Sequence, residues 1–264
     1  MTVLSDPIDM ATSVEAAPNP RYSVETFGGR FVDLSNPRPE QIDLEDIAAG
    51  LSKVCRYASG PQWFLSVAEH AYWVSKRLEL LGFPVPVQLG GLHHDDPEYV
   101  MGDVTTPMKR YLADRESEML DSLKRSQGAL LTVRLAPYID DWDVIASIVE
   151  ACDQNIDSYR ASILKDLEES LMAAILPGLG FAACHIDLTD PAVKQADLWA
   201  LAGEAQQLTK SRGEGWLEIG EYDPNPDLSS IGLSSERAKA LWLDRHHELV
   251  ARLRQLPTLE RAHV

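Results

Sequence analysis

Two histidines and two aspartates stand side by side at positions 93–96, within a stretch over residues 90–109 that also contains Glu98. An adjacent imidazole and carboxylate can both reach one divalent ion from a single turn of chain. If the stretch is helical, Glu98 lies about one turn after His94 and shares its face. The stretch could therefore bring metal ligands and an acid or base close together.

A metal site of this kind needs three or four nitrogen and oxygen ligands. His70, His94 and Asp95 supply three of them from neighbouring helices, and a further acid has to come from later in the chain. Imidazole with carboxylate suits Mn, Co or Zn, and also Fe or Ni, better than Ca or Mg. A divalent ion there would lower the pKa of a water molecule and make it a nucleophile near neutral pH. An isolated His-Asp pair is more often a surface or capping feature, so the spacing alone leaves both interpretations open.

The elements that must position these residues are predicted to be helical. Residues 66–80 have helical apolar spacing, and Ser66 with Glu69 forms a capping box at their start. Residues 87–101 are expected to be one helix that ends at Gly102. Further helices are predicted over residues 42–53, 114–125, 142–151, 159–175, 192–208 and 234–256. The expected fold is a single all-α domain, a bundle of about nine helices, with a short N-terminal hairpin over residues 22–31.

The composition is typical of a soluble globular protein. Of the 264 residues, 45% are hydrophobic and 25% are charged. We find no apolar run long enough for a membrane span and no signal peptide at the N-terminus. The three cysteines are widely spaced without a CxxC motif, which favours a reducing compartment. We therefore expect a cytoplasmic protein that does not enter a membrane.

The charge restricts the partners. A formal charge of −17 repels phosphate backbones, which argues against binding of a nucleic-acid polymer. A small anionic substrate is compatible with this charge only if a metal and a few local Arg or Lys residues offset the field.

Three motifs in order resemble the HD-domain phosphohydrolases. They are SVAEH at 66–70, LHHDDPEYVMGDVTTPMK at 92–109 and VKQADLWALAGEAQQL at 193–208. The closest branch is the 5′-deoxynucleotidases together with phage dNTP (dATP) triphosphohydrolases. Upstream, Arg56 followed by Tyr57 matches an arginine and aromatic residue of that branch. The resemblance covers about residues 21–112 and 158–256, so about residues 113–157 are an insertion. The expected HD domain spans 21–256. A mobile N-terminal tail at 1–20 precedes it, and a C-terminal tail at 257–264 follows it.

The resemblance implies that the metal ligands are His70, His94, Asp95 and Asp197. Glu98 and Gly102-Asp103 decide the register, because they match the family only if His94-Asp95 is the HD pair. His93 and Asp96 are then additional, and Asp96 is either a solvated helix acid or a residue that tunes the site. Asp153 also follows a helical pattern and is the rival to Asp197 as the last ligand.

The resemblance also assigns roles around the metal. Glu98 is the carboxylate that orients or deprotonates the attacking water, and Asp103 contacts the substrate or assists catalysis. Arg56 contacts phosphate, Tyr57 stacks on the substrate or selects its sugar, and Lys109 neutralises phosphate charge.

The function expected from the resemblance is hydrolysis of a deoxynucleotide phosphoester by a homo-oligomeric enzyme. Two alternatives remain: an HD hydrolase of a cyclic or guanosine alarmone nucleotide, and a catalytically silent nucleotide-binding regulator.

Overall fold

The computed structural model of the protein describes residues 17–157, 162–217 and 232–255. Their secondary structure is mainly helical, with one small two-stranded sheet, which confirms the all-α prediction. The predicted C-terminal tail and most of the predicted N-terminal tail lie outside the described residues. Within the described chain, no helix combines the length and the apolar character that crossing a membrane requires.

The described chain contains nine α-helices. They are α1 Leu44–Leu51, α2 Val67–Leu80, α3 Val85–His93, α4 Glu98–Met101, α5 Thr106–Leu135, α6 Trp142–Asp157, α7 Ile163–Gly178, α8 Pro191–Leu208 and α9 Ser235–Gln255. The predicted hairpin consists of β1 Ser23–Glu25 and β2 Phe31–Asp33, paired antiparallel with Val24 opposite Val32. The capping box of Ser66 and Glu69 starts α2 as expected. Asp190 caps α8 by accepting a hydrogen bond from the Ala192 backbone N–H at 2.8 Å.

The prediction of one helix over residues 87–101 is wrong. α3 ends at His93, and a turn separates it from α4. Pro97 has no N–H, and its ring would clash with the carbonyl of His93 in a continuous α-helix. The turn is closed instead by tighter bonds, such as Glu98 N–H to the Asp95 carbonyl at 3.0 Å. Residues three apart eclipse in such a turn, so Asp95 and Glu98 face the same side and line one cavity.

α5 is much longer than the predicted helix at 114–125. It has 30 residues, and none of them is buried. α6 is the described element that packs along it, so the two form a helical hairpin beside the main core. A helix of this kind is stabilised by the helix propensity of its residues and by one neighbour. Its apolar spacing is therefore weak, and the prediction from that spacing was too short. The first residues of the helix predicted over 159–175 lie outside the described chain. Within the described chain, the corresponding helix α7 begins at Ile163.

α3 is the centre of the main core. All nine of its residues are buried, because α2, α8 and α9 cover it. Its glycines allow this close approach: a Cβ on Gly90 would lie 1.9 Å from the Asp187 carbonyl oxygen, and one on Gly91 would lie 2.5 Å from a Leu78 methyl. Trp242 of α9 also donates its indole N–H to the Leu92 carbonyl at 3.3 Å. The end of α3, where His93 and His94 lie, is therefore held by rigid neighbours.

We predict that Gly90→Ala destabilises the protein by about 1–3 kcal/mol, because the new methyl would displace the backbone at Asp187. Thermal and urea unfolding followed by circular dichroism measure the change. Gly128→Ala is the matched control, since the added Cβ would meet only a Val149 methyl, at 3.2 Å. Equal stability of the two variants would contradict the close packing of α3.

Candidate functional site

Three of the four predicted metal ligands, His70, His94 and Asp95, lie within ligand distance of one another, and Asp197 lies beside the two histidines. His70 comes from α2, His94 and Asp95 from the turn after α3, and Asp197 from α8. The His70 Nε2 atom lies 3.3 Å from His94 Nε2 and 3.2 Å from Asp197 Oδ1. His94 Nε2 lies 3.2 Å from Asp95 Oδ2 and 4.0 Å from Asp197 Oδ1. Two ligand atoms that each lie about 2.0–2.2 Å from one ion are separated by distances of this size. His70, His94 and Asp95 could therefore hold a metal ion.

The hydrogen bonds on the far side of each ring fix its tautomer. His70 Nδ1 lies 2.7 Å from Glu204 Oε1, and His94 Nδ1 lies 3.0 Å from the Gly91 carbonyl oxygen. Both partners can only accept, so each Nδ1 carries a hydrogen and each neutral ring turns the lone pair of Nε2 toward the other. Two such lone pairs and two carboxylates form a donor set that fits a divalent cation.

Without a metal, a proton supplies part of the positive charge that this cluster requires. Burial and the nearby Arg56 would lower the pKa of His70, but Glu204 and Asp197 outweigh them and raise it to about 9. Burial acts against ionisation of Asp197, yet its hydrogen bond to His70 holds the pKa of that carboxyl well below its usual range. The cluster thus favours ionised carboxylates facing a cation.

Asp153, the rival fourth ligand, lies elsewhere. It sits on α6 and lines a separate cavity of about 300 Å³ together with Trp142, Ile145 and Glu150. Asp197 is the acid that the fold brings to His70 and His94, so the geometry favours it over Asp153.

Glu98 lies beside the cluster with an unsatisfied oxygen. The residue is 5% exposed, and no hydrogen-bond partner of its Oε2 atom is found in the described chain. Burial and the neighbouring charge of Asp95 raise its pKa to about 9. A cation at Asp95 would offset that repulsion and favour the carboxylate form of Glu98. The residue also lines a cavity of about 200 Å³, together with His94, Asp95, Pro97, Lys109, Glu168, Glu169 and Met172.

Lys109 lines this cavity but is not a free cation. Its ammonium group donates to Glu168 Oε1 of α7 at 2.7 Å. Burial would lower the pKa of Lys109, but the hydrogen bond and charge of Glu168 raise it. A phosphate at Lys109 would compete with Glu168, a residue that sequence reasoning missed because nothing in its local pattern links it to Lys109.

Glu204 joins three of the predicted site residues. Its Oε2 accepts hydrogen bonds from Arg56 Nε at 3.1 Å and from the Tyr57 hydroxyl at 2.6 Å, while Oε1 accepts from His70. Burial raises the pKa of Glu204, but Arg56 and His70 outweigh it and lower the value to about 2. In the sequence, Glu204 only matched the family's spacing after Asp197 and had no predicted role. Its position seven residues after Asp197, two helical turns on, was the available signal that it faces the cluster.

Arg56 is buried and lies between Glu204 and the metal cluster, with its Nη1 atom 3.4 Å from Asp95 Oδ2. Tyr57 follows it with the unusual φ of 60°, and its ring packs against Trp216 at 5.5 Å. Asp103 holds this strained turn by accepting the Tyr57 backbone N–H at 2.7 Å. Its Oδ2 therefore positions the turn, and the substrate contact or catalytic role of Asp103 stays a prediction.

The interpretation of Asp96 as a solvated acid is wrong. Asp96 is fully buried and its Oδ2 lies 2.6 Å from His93 Nδ1. His93 Nε2 in turn lies 3.0 Å from His246 Nδ1 of α9, whose ring stacks on Trp242. The additional histidine and aspartate thus form a buried polar chain that ties the end of α3 to α9, and the chain lies behind the cluster rather than in it.

We predict that His246 makes stability pH-dependent. Burial, followed by the charges of His93 and His247, lowers its pKa from 6.5 to about 3. Between pH 6.5 and pH 3, His246 therefore binds a proton in the unfolded state but not in the folded state. The free energy of unfolding then falls as the pH falls from 6.5 toward 3, by at most about 1.4 kcal/mol per pH unit. Urea unfolding at several pH values, with chelator present, should show that acidification costs His246→Gln less stability than it costs the wild type.

The exposed neighbour provides the control for that measurement. His247→Gln should keep most of the wild-type pH dependence, because burial is the main cause of the low pKa of His246 and His247 itself is exposed. Parallel pH curves for wild type and His246→Gln would contradict the buried neutral state of His246.

Comparison with known proteins gives two relatives and no matching family model. An uncharacterized protein of Rhodobacter capsulatus is 38% identical over 101 residues, which are 37% of this chain and 52% of that protein. The chain thus spans about half of its length. The uncharacterized protein YfdR of Escherichia coli K12 is 31% identical over 157 residues, which are 58% of this chain and 85% of YfdR. At this identity and coverage, the chain belongs to the family of the uncharacterized E. coli protein YfdR.

Proposed function

We propose that the protein is a metal-dependent phosphohydrolase of deoxynucleotides, either a dNTP (dATP) triphosphohydrolase or a 5′-deoxynucleotidase. The observation that carries the proposal is the convergence of His70, His94 and Asp95, with Asp197 beside His70, in a donor set that fits a divalent cation. The resemblance of the three motifs to HD-domain phosphohydrolases supplies the substrate class.

Manganese, cobalt or zinc is the ion we expect the cluster to hold, through His70, His94, Asp95 and Asp197. A divalent ion there would polarise a phosphoryl oxygen and make a water molecule more acidic. Glu204 and the Gly91 carbonyl hold the two imidazole rings in the tautomer that this binding needs.

Two basic residues on either side of Asp95 bind the charge of the substrate. Arg56 lies 3.4 Å from Asp95, and Lys109 lines the same cavity as Asp95 and Glu98. Such local cations are necessary in a chain of net charge −17, because an anionic substrate would otherwise be repelled. Arg56 is already oriented by Glu204, so binding a phosphate through its remaining donors requires little reorganisation.

Glu98 acts on the attacking water. Glu98 lines the cavity beside Asp95, where its carboxylate can accept a hydrogen bond from a water molecule and take up its proton. The water oxygen forms a bond to phosphorus while the phosphorus–oxygen bond to the leaving group breaks. The products are a deoxynucleoside with phosphate from a monophosphate, or with triphosphate from a triphosphate. Tyr57 and Trp216 form an aromatic pair beside Arg56, where a base or sugar can pack.

The proposal is tested with a panel of dNMPs, dNTPs, cyclic nucleotides and guanosine alarmones, assayed with Mn, Co, Zn or no metal. We expect metal-dependent release of phosphate or triphosphate from deoxynucleotides. His94→Ala should lower the rate by at least about 100-fold, since even residues that only support a metal ligand cost up to that factor. Asp153→Ala, which removes the distant rival acid, should keep wild-type activity.

Other outcomes of the panel decide against the proposal. Full activity of His94→Ala would show that the site is assigned wrongly. Turnover confined to alarmones or cyclic nucleotides would indicate a different HD activity. Binding of deoxynucleotides without turnover under any metal would indicate a silent regulator.

We predict that Glu204→Gln weakens metal binding about 10- to 100-fold, because it removes the negative charge that orients and strengthens His70 as a ligand. Isothermal titration of the protein with Mn²⁺ or Zn²⁺ measures this without an assay of activity. Glu79→Gln is the control, since Glu79 pairs with Arg245 and Arg252 on another side of α2. Equal metal affinity of Glu204→Gln and the wild type would contradict the role assigned to Glu204.

A further inference from the structure

α5 exposes an apolar stripe along most of its length. The residues of the stripe are 45% to 72% exposed: Met108, Tyr111, Met119, Leu123, Leu130 and Val133. At about 100° per residue they fall within an arc of roughly 120° on the helix surface. Such a contiguous exposed face is unusual for a surface helix in contact with water, whose exposed side is normally polar.

α6 does not cover this stripe. The hairpin is packed on the other side of α5, where Gly128 approaches Val149 and Thr132 lines a cavity with Ile145. None of the 30 residues of α5 is buried by any described part of the chain. The stripe is therefore a second face of α5, which the described residues leave without a partner.

The stripe has the spacing of a self-complementary surface. Met108 and Val133 lie at equal distances from the midpoint of the stripe, between residues 120 and 121, and so do Tyr111 and Leu130. When two copies of a helix pair antiparallel across a twofold axis at that midpoint, each of these residues meets its counterpart on the other copy. Two apolar contacts at each end then repeat by symmetry.

The same axis places large side chains opposite small ones. Leu112 meets Ala129 of the second copy, and Met119 meets Ser122, both by the same equal spacing from the midpoint. Alternation of large and small residues lets two helices approach closely and interdigitate.

The charges of α5 also suit a second copy. The helix has six basic and four acidic residues, so its net charge is +2 in a chain of −17. The charged residue within the arc, Arg115, is paired with Glu118 at 2.6 Å. Two copies therefore approach along this face without the repulsion that the rest of the acidic surface would impose.

We propose that the α5 stripe binds the α5 stripe of a second copy, antiparallel across a twofold axis near residues 120 and 121. The two α5–α6 hairpins then form a four-helix layer with the two copies of α5 in the middle, and the protein is a dimer. This inference is independent of the proposed chemistry, because α5 meets the candidate site only at its first turn, where Lys109 lies.

Light scattering coupled to gel filtration, at micromolar protein, tests the dimer. The wild type should have twice the chain mass of 29.3 kDa. Met119→Arg with Leu130→Arg should raise the dissociation constant at least about 100-fold, because the two copies bring four cations into an apolar contact. Circular dichroism should show unchanged helix content, since both side chains are exposed in the single chain. Leu80→Arg with Leu81→Arg, at exposed leucines away from α5, is the control and should remain a dimer.

Single cysteines test the direction of the pairing, in a background with Cys55, Cys152 and Cys184 replaced by Ser. Ser122→Cys lies next to the axis and should form a disulfide-linked dimer on oxidation. Val133→Cys should not, because antiparallel copies place its two thiols about 37 Å apart along the helix. Linkage through Val133→Cys would instead indicate a parallel arrangement.

The following results would overturn the proposal. A monomeric wild type would show that the stripe is not a dimer interface, and loss of helix content in the monomeric arginine variant would point to cover by another segment of the same chain. A dimer that withstands both arginines would place the interface elsewhere.

Discussion

The site depends on one buried negative charge, the carboxylate of Glu204. A carboxylate that is fully removed from water is costly unless cations and donors surround it, and Glu204 meets this requirement with three hydrogen bonds. Each bond also orients a side chain that chemistry would use. The bond to His70 selects the tautomer, the bond to Arg56 aims the guanidinium, and the bond to Tyr57 fixes the ring. The need to satisfy one charge therefore preorganises both the metal cluster and the phosphate-binding side of the site.

The second constraint is the buried helix α3. Because neighbours cover it on all sides, its last turn has little freedom, and Pro97 forces the chain to leave the helix just beyond it. The tight turn that results presents His94 and Asp95 to the cluster and directs Glu98 into the cavity. Behind the turn, His93 is tied to α9 through His246. Adjacent residues of the same motif thus have opposite tasks, since one histidine faces the cluster and the other anchors the helix.

The sequence predicted most reliably what is encoded locally. Helices α2 and α8 start at capping residues that are visible in the sequence. The resemblance to HD-domain proteins named His70, His94, Asp95 and Asp197, and the structure places His94, Asp95 and Asp197 close to His70. The break before Glu98 was missed because apolar spacing continues across Pro97. The length of α5 was missed because an unburied helix leaves a weak periodic signal. The partners of His93 and Lys109 on other helices could not be predicted, because His246 reaches His93 from a distant helix and Glu168 reaches Lys109 from another one.

The cluster joins parts of the chain that are far apart in sequence, and the α5–α6 hairpin lies within the loop that it closes. The entropy lost on closing a loop grows only with the logarithm of its length, so doubling the loop costs about 0.6 kcal/mol. A hairpin added between Asp95 and Asp197 therefore adds little to the entropy cost of bringing these two residues together. The loop can gain or lose whole helices during evolution while the geometry at His70 stays the same. The hairpin is thus free to acquire a surface and a role of its own.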